Sequence, residues 1–163
     1  MPAIYDSIDL AWTWNGDFDL GSDGDLKDTS DDALLSLRQE LMDTAASAVG
    51  DWELYEGKGA SLDDFVGEPN LRRTGRAIHN RLRLAILSAG IVDEEDLKIR
   101  VVPVDRSRML ILIAVDVIAT PVNGMKQGEP VVVQLLHDSL EQSGVFFLDR
   151  NPNYIGNNTG GAF

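Results

Sequence analysis

The sequence predicts an α+β fold within the broader α/β class: a small mixed sheet flanked by two main helices, with an N-terminal hairpin and an extended C-terminal tail. Three observations lead there. Residues 31–49 and 71–89 carry apolar side chains at spacings of three and four, the mark of a helix with one buried face. Residues 98–105 and 109–120 read as strands joined by a connection short enough for a hairpin. Near the N-terminus, Asn15-Gly16 separates two alternating apolar arms, and this dipeptide suits a type I′ turn.

Along the chain, the first element is the hairpin over 9–20, DLAWTWNGDFDL. Leu10, Trp12 and Trp14 fall on one face at period two, and Phe18 and Leu20 continue the alternation on the second arm. A second turn signal follows at Asp23-Gly24. The first helix is expected over 31–49, capped by Thr29 or Ser30 and ended by Gly50, with Leu34, Leu37, Leu41, Ala45 and Ala48 as its apolar stripe. The second is expected over 71–89, ending at Gly90, with Ile78, Leu82, Ala85 and Ile86 buried. Asp93 is a candidate cap for one more turn. Residues 98–105 alternate Ile99, Val101 and Pro103 with more polar neighbours. Residues 109–120 are continuously apolar through Ala114, which predicts a strand covered on both faces. Pro121 then ends or bends it. PVVVQLL from Pro130 and GVFFL at 144–148 are further strand candidates, and the Asn- and Gly-rich end reads as a tail ordered only against neighbours. The organisation expected is a hairpin and acidic turn over 1–30, a core over 31–121 and an extension over 122–163, with no internal repeat.

At 163 residues, 44% of them hydrophobic, the chain is long enough for one domain with a substantial core. With no cysteine, disulfides and thiolate metal sites are excluded. Runs such as Met109–Val115 are too short to span a bilayer. The opening MPAIYDSIDL lacks a basic n-region and an apolar core, so no secretory signal is expected. A net charge of −13 argues against nucleic acid as a partner. The charge is polarised: the first 68 residues hold only Lys27, Arg38 and Lys58 as cations, whereas nine lysines and arginines lie between Arg72 and Arg108. Such a chain suits acidic neighbours at one part and basic neighbours at another.

The segment GDWELYEGKGASLDDFVGEPN, from Gly50 to Asn70, combines glycines with large apolar side chains. Trp52, Tyr55, Leu62 and Phe65 predict a loop folded back onto the domain, and the lack of His or Cys points to contact rather than chemistry. Catalytic readings find little support elsewhere. Glu53, Glu56 and Asp63 lie near aromatic residues, but in so acidic a chain nothing singles out the raised-pKa acid that a glycosidase needs. His79 and His137 are the only candidate bases, no GxSxG elbow is present, and phosphate-binding motifs are absent. No cofactor is expected. Asp17, Asp19, Asp23, Asp25 and Asp28 recur at short intervals, but a calcium loop begun at Asp17 has Ser22 where glycine is required and Asp28 where a longer Glu belongs.

The ordered set Gly50-Asp51-Trp52-Glu53-Leu54, then Gly59, Leu62, Phe65, Gly67 and Asn70, followed by a helix and a β-hairpin, resembles the sheath initiator family of contractile-tailed phages, also called baseplate wedge or "lysozyme-like" tail proteins. The resemblance covers about residues 17–120. Many members carry Glu-Pro-Arg before the hairpin strand; here Asp96-Leu97-Lys98-Ile99 keeps acid and base without the proline. The resemblance implies a noncatalytic subunit of the virion tail baseplate, made in the host cytoplasm and present in several copies around a six-fold tail. Its implied partners are the sheath protein, the tail tube and baseplate wedge proteins, with no nucleic acid, membrane or small-molecule substrate. The implied contact is strand addition to an open sheet edge. On this reading the partner-binding loop residues are Gly50, Asp51, Trp52, Gly59, Leu62, Phe65, Gly67 and Asn70. Those of the hairpin edge and motif are Asp96, Lys98, Ile99, Arg100, Arg106 and Arg108, and the tail contacts are Phe146, Phe147, Tyr154 and Phe163. The alternatives are a peptidoglycan-degrading tail lysozyme, which would need a cleft and one essential Glu, and a soluble regulatory binding protein of similar fold.

Overall fold

A computed structural model describes residues 4–5, 8–13, 17–30, 33–116, 118–119, 131–140 and 145–147. The elements are β1 (Ile4–Tyr5), α1 (Ala33–Ala46), a 3-10 turn (Leu62–Phe65), α2 (Arg72–Ser88), β2 (Leu97–Pro103), β3 (Arg108–Val115), β4 (Ile118–Ala119), β5 (Val131–Asp138) and β6 (Val145–Phe147). The main sheet has the order β2-β3-β5-β6 and is antiparallel throughout; the parallel component is the short β1-β4 pair. The α+β class and the two helices are therefore as expected.

The core lies on one face of this sheet. Period-two alternation turns Met109, Ile111, Ile113 and Val115 of β3 inward, and the register sets Ile111 opposite Leu135, Ile113 opposite Val133 and Val115 opposite Val131. Leu37, Leu41 and Ala45 of α1 and Ile78, Leu82 and Ile86 of α2 meet them, all fully buried. Leu110 and Leu112, on the other face, are half-buried. The expected burial of β3 on both faces is thus corrected: both helices pack on the same side.

The core also extends past Pro121. Val131, Val133 and Leu135 in β5 belong to it, and β5 is an inner strand of the sheet. Residues 131–138 are accordingly core rather than extension. The remaining tail expectations, including those for 150–163, lie outside the described residues.

The helix ends follow from backbone chemistry. Gly90 (φ 69°) takes the left-handed conformation that ends α2 as expected. Helix α1 instead stops at Ala46, so Gly50 (φ 98°) serves the following turn, closed by Asp51 N–H to Ala48 C=O at 3.2 Å, and not the helix end. The expectation that Thr29 or Ser30 caps α1 is corrected, because both hydroxyls are engaged elsewhere. The buried Thr29 hydroxyl accepts the Asp9 N–H at 2.9 Å, and the Ser30 hydroxyl donates to the Asp28 carboxylate.

Those hydroxyls belong to a structure for which a hairpin is only part of the description. Trp12 does stand opposite Phe18; the expected type I′ turn at Asn15-Gly16 lies outside the described residues. The second arm then turns back, so that Leu20 faces Leu26, and the third segment closes on the first, with Leu10 facing Asp28. Three backbone bonds form a circuit: Ala11 N–H to Lys27 C=O (2.9 Å), Lys27 N–H to Asp19 C=O (3.0 Å) and Asp19 N–H to Ala11 C=O (2.8 Å). Three more close the corners, from Thr13 to Asp17 (2.7 Å), Gly21 to Asp25 (2.8 Å) and Thr29 to Asp9 (2.8 Å). Each bond has two counterparts eight residues along. The sequence carries the same period in DLAWTWNG, DFDLGSDG and DLKDTSDD, each beginning with Asp followed by Leu or Phe. The expectation of no internal repeat is therefore wrong: residues 9–32 are an eight-residue unit used three times.

If β5 is integral to the core, Leu135→Ala should destabilise the protein by about 2–5 kcal/mol, the cost of a buried leucine and its cavity. Chemical denaturation should place it beside Leu41→Ala. A loss of only a few tenths of a kcal/mol would show that the core ends before β5.

Candidate functional site

Two features of the predicted contact region are built differently. The loop after α1 is anchored by its glycines and short polar side chains. Ala60 N–H donates to Thr44 C=O at 2.9 Å and Ser61 N–H to Ser47 C=O at 3.1 Å, so the returning chain satisfies carbonyls at the end of α1. Gly59 makes this approach possible. Its φ is 120°, and a Cβ there would lie 2.7 Å from the Ala48 carbonyl. Ser61, itself left-handed at φ 46°, accepts the Val49 N–H on its hydroxyl at 2.8 Å.

Trp52 is tied down by its indole N–H, which donates to the Ser47 hydroxyl at 3.0 Å, and by the Lys58 ammonium 5.0 Å from its ring centre. Lys58 also pairs with Asp43 at 2.6 Å, and Asp51 accepts the Ala48 N–H at 2.7 Å. The predicted fold-back therefore holds for Leu62, which is buried, and Phe65, which is half-buried against the core. Both leave the list of surface contacts for that reason. Tyr55 remains exposed, and Leu54 is 90% exposed at the loop tip, though sequence reasoning gave Leu54 no contact role.

Gly67 and Asn70 brace the β2–β3 hairpin. Gly67 N–H donates to Ser139 C=O at 2.6 Å, and Ser139 N–H donates to Ser107 C=O at 2.9 Å. The Asn70 amide donates to the carbonyls of Asp105 and Arg108, the latter at 3.0 Å. Within the turn, the Asp105 carboxylate accepts the N–H groups of Ser107 (3.0 Å) and Arg108 (2.9 Å) and the Arg108 Nε at 2.6 Å. These bonds, the Arg108 side chain foremost, lower the Asp105 pKa from 3.8 to about 2. Arg108 is thus engaged in shaping the turn, while Arg106 is exposed without a paired acid among the described residues.

The second feature is the free margin of β2. At the hairpin's two ends, Val104 N–H donates to Arg108 C=O (2.9 Å) and Asp116 N–H donates to Asp96 C=O (3.0 Å). Alternation between these points turns the peptide groups of Lys98, Arg100 and Val102 towards β3 and those of Leu97, Ile99, Val101 and Pro103 outward. Leu97 N–H reaches Glu94 C=O at 3.4 Å, and proline has no N–H. Ile99 and Val101 are left with outward N–H and C=O groups that no described residue takes. Lys98 and Arg100 are exposed beside them; Ile99 instead packs against the core, and Asp96 is buried, which removes it as a surface contact.

A groove of about 410 Å³ runs along this margin, lined by Leu71, Arg72, Arg76 and His79 of the α2 side and by Val101 and Met109 of the sheet. His137 is buried in β5 opposite Met109, away from the groove lining. Among the described residues, no three His, Asp or Glu side chains are grouped to hold a metal ion. Phe146 and Phe147 lie in β6, opposite Leu136 and Leu135; Tyr154 and Phe163 lie outside the described residues. Compared with known families, curated proteins and solved structures, the chain matches none.

Gly59→Ala forces a Cβ onto the α1 terminus in a backbone region hostile to L-residues, and should cost about 1–3 kcal/mol or more. A thermal melt unchanged from the parent would remove Gly59 from this role. The depressed Asp105 pKa gives a second test. Its contribution is complete above the ordinary value of 3.8 and is lost as pH falls through about 2. The Arg108 side-chain N–H resonance should keep its bonded shift at pH 3.8 and lose it with a midpoint near 2; a midpoint near 3.8 would contradict the pairing.

Proposed function

We propose that this chain is a noncatalytic structural subunit of a phage contractile-tail baseplate, one that joins the inner baseplate and tube to the first sheath ring and initiates sheath assembly by strand addition. The observation that supports this reading is the outer margin of β2, where Ile99 and Val101 offer unsatisfied peptide groups in strand register. An extended segment laid there gains main-chain hydrogen bonds, and its side chains on one face meet the groove beside α2. Arg100 on the strand and Arg72 and Arg76 on the helix make the surroundings cationic, while Lys98 is paired with Asp116. The segment received is therefore one rich in acidic side chains, which also steers it to the correct margin. The same cations keep two β2 edges from pairing with each other.

The other residues divide the work in this proposal. Asn70, Asp105 and Ser139 hold the hairpin turn and the loop as one unit, so the margin is presented rigidly. Trp52, Leu54 and Tyr55 form a separate apolar tip that suits contact with an inner baseplate or tube subunit. The protein acts in the virion, in several copies around the tail, and needs no cofactor for this task.

Tails assembled without the chain should show tubes and baseplates bearing no sheath. Val101→Pro removes one outward N–H while leaving the β3 ladder intact, and proline is tolerated on strand edges. It should abolish sheath initiation, whereas Val101→Ala, which keeps that N–H, should support normal sheaths. Normal sheaths on tails carrying Val101→Pro would overturn the proposal.

A further inference from the structure

The threefold repeat at the N-terminus has a second, outward set of backbone groups, and among the described residues one of its three equivalent donor–acceptor pairs is taken. Its odd-numbered residues direct their peptide groups into the closed circuit of bonds described above, so the even-numbered residues direct theirs outward. At the first repeat these groups are taken by one side chain. The Gln39 amide of α1 accepts the Trp12 N–H on its oxygen at 2.8 Å and donates its NH₂ to the Leu10 C=O at 2.9 Å. A carboxamide here does what the peptide group of an added strand would do.

Eight residues along, the equivalent pair is the Leu20 N–H and the Phe18 C=O; eight further, it is the Asp28 N–H and the Leu26 C=O. Among the described residues, neither pair has a hydrogen-bond partner. The two differ in surroundings. The third pair is flanked by the Asp28 carboxylate, which is engaged by Ser30. The second is flanked by apolar side chains, Phe18 and Leu20, both more than half exposed, with Leu26 and Trp12 on the same face. Trp12 and Phe18 already stack edge to face at 5.8 Å. Alternation places these large apolar residues together while Ala11 and Thr29, on the opposite parity, are buried.

The charge around this face selects the occupant. Residues 9–30 hold six aspartates and one cation, Lys27, which is paired with Asp19 at 3.2 Å. We infer that the margin at 18–20 is a docking site for an extended segment of a partner protein carrying alternating cationic and apolar side chains. Its peptide N–H and C=O pair with the Phe18 C=O and the Leu20 N–H as Gln39 pairs with the first repeat. Its apolar side chains cover Phe18, Leu20 and Leu26, and its cations meet the surrounding aspartates. The site is independent of the β2 margin, and the two have opposite charge preferences, so one chain can hold two different segments without their exchanging places.

The test uses the full chain and a capped peptide of alternating lysine and valine, with a glutamate-for-lysine version as the control. Titration followed by tryptophan emission and by amide resonances should show the lysine peptide binding and shifting the Leu20 amide. The glutamate peptide should not bind. Phe18→Ser and Leu26→Ser should each weaken binding about tenfold or more, while Val101→Pro, at the other margin, should leave it unchanged. Equal binding of both peptides, no binding of either, or shifts confined to β2 would overturn the inference. So would sedimentation showing that the protein alone self-associates through this face, because the occupant would then be a second copy. Circular dichroism on the two serine variants confirms that weakened binding is read on folded protein.

Discussion

The odd-numbered face of β3 is the constraint on which the rest depends. Met109, Ile111, Ile113 and Val115 are buried at the centre of the molecule, with β2 on one side, β5 on the other and both helices above. Because strand side chains alternate with a period of two, a shift of one residue would exchange this face for Leu110 and Leu112. That fixes the register of the β2–β3 hairpin, and the register decides which peptide groups of β2 face outward. The availability of Ile99 and Val101 to a partner is thus set by packing on the strand beside them.

The loop after α1 acts on the same core from its other end. Its backbone closes the α1 terminus through Thr44 and Ser47, and this holds Leu62 and Ala60 in the apolar cluster. The residues that make the loop look like a binding element are partly those that make it fold. Leu62, Phe65 and Gly59 are internal parts, and what they deliver to the surface is the tip at Leu54 and Tyr55. The resemblance motif is therefore mainly a motif of construction, and its surface consequences fall on neighbouring residues.

Much of this was legible in the sequence where a single periodicity dominates. Leu37, Leu41 and Ala45, and Ile78, Leu82 and Ile86, announce their helices because a spacing of three and four has one physical meaning. Gly90 marks the end of α2 because glycine alone enters the left-handed region without strain, whereas Gly50 has the same freedom in a turn four residues beyond α1. Val131, Val133 and Leu135 were harder to place, since a short apolar run after a loop carries no information about which strand it will join. The N-terminal repeat is faint in the sequence because its units share pattern more than identity: Thr13, Gly21 and Thr29 are equivalent positions with two different residue types. Thr29 and Ser30, as hydroxyl residues ahead of an apolar stripe, also mimic a helix cap. The free edges could not be read at all, because a strand's position within a sheet depends on pairings remote in sequence.

Closure around Ala11, Asp19 and Lys27 has a consequence for how such an element can change over time. Each arm contributes its inner donors and acceptors to both neighbours, and three arms complete the circle. A duplicated octet would bring one inner donor and one inner acceptor of its own but would need a wider circle, and a deleted one would leave a two-arm hairpin without the closing bonds. Exchange of the outward-facing side chains, by contrast, leaves the circle closed.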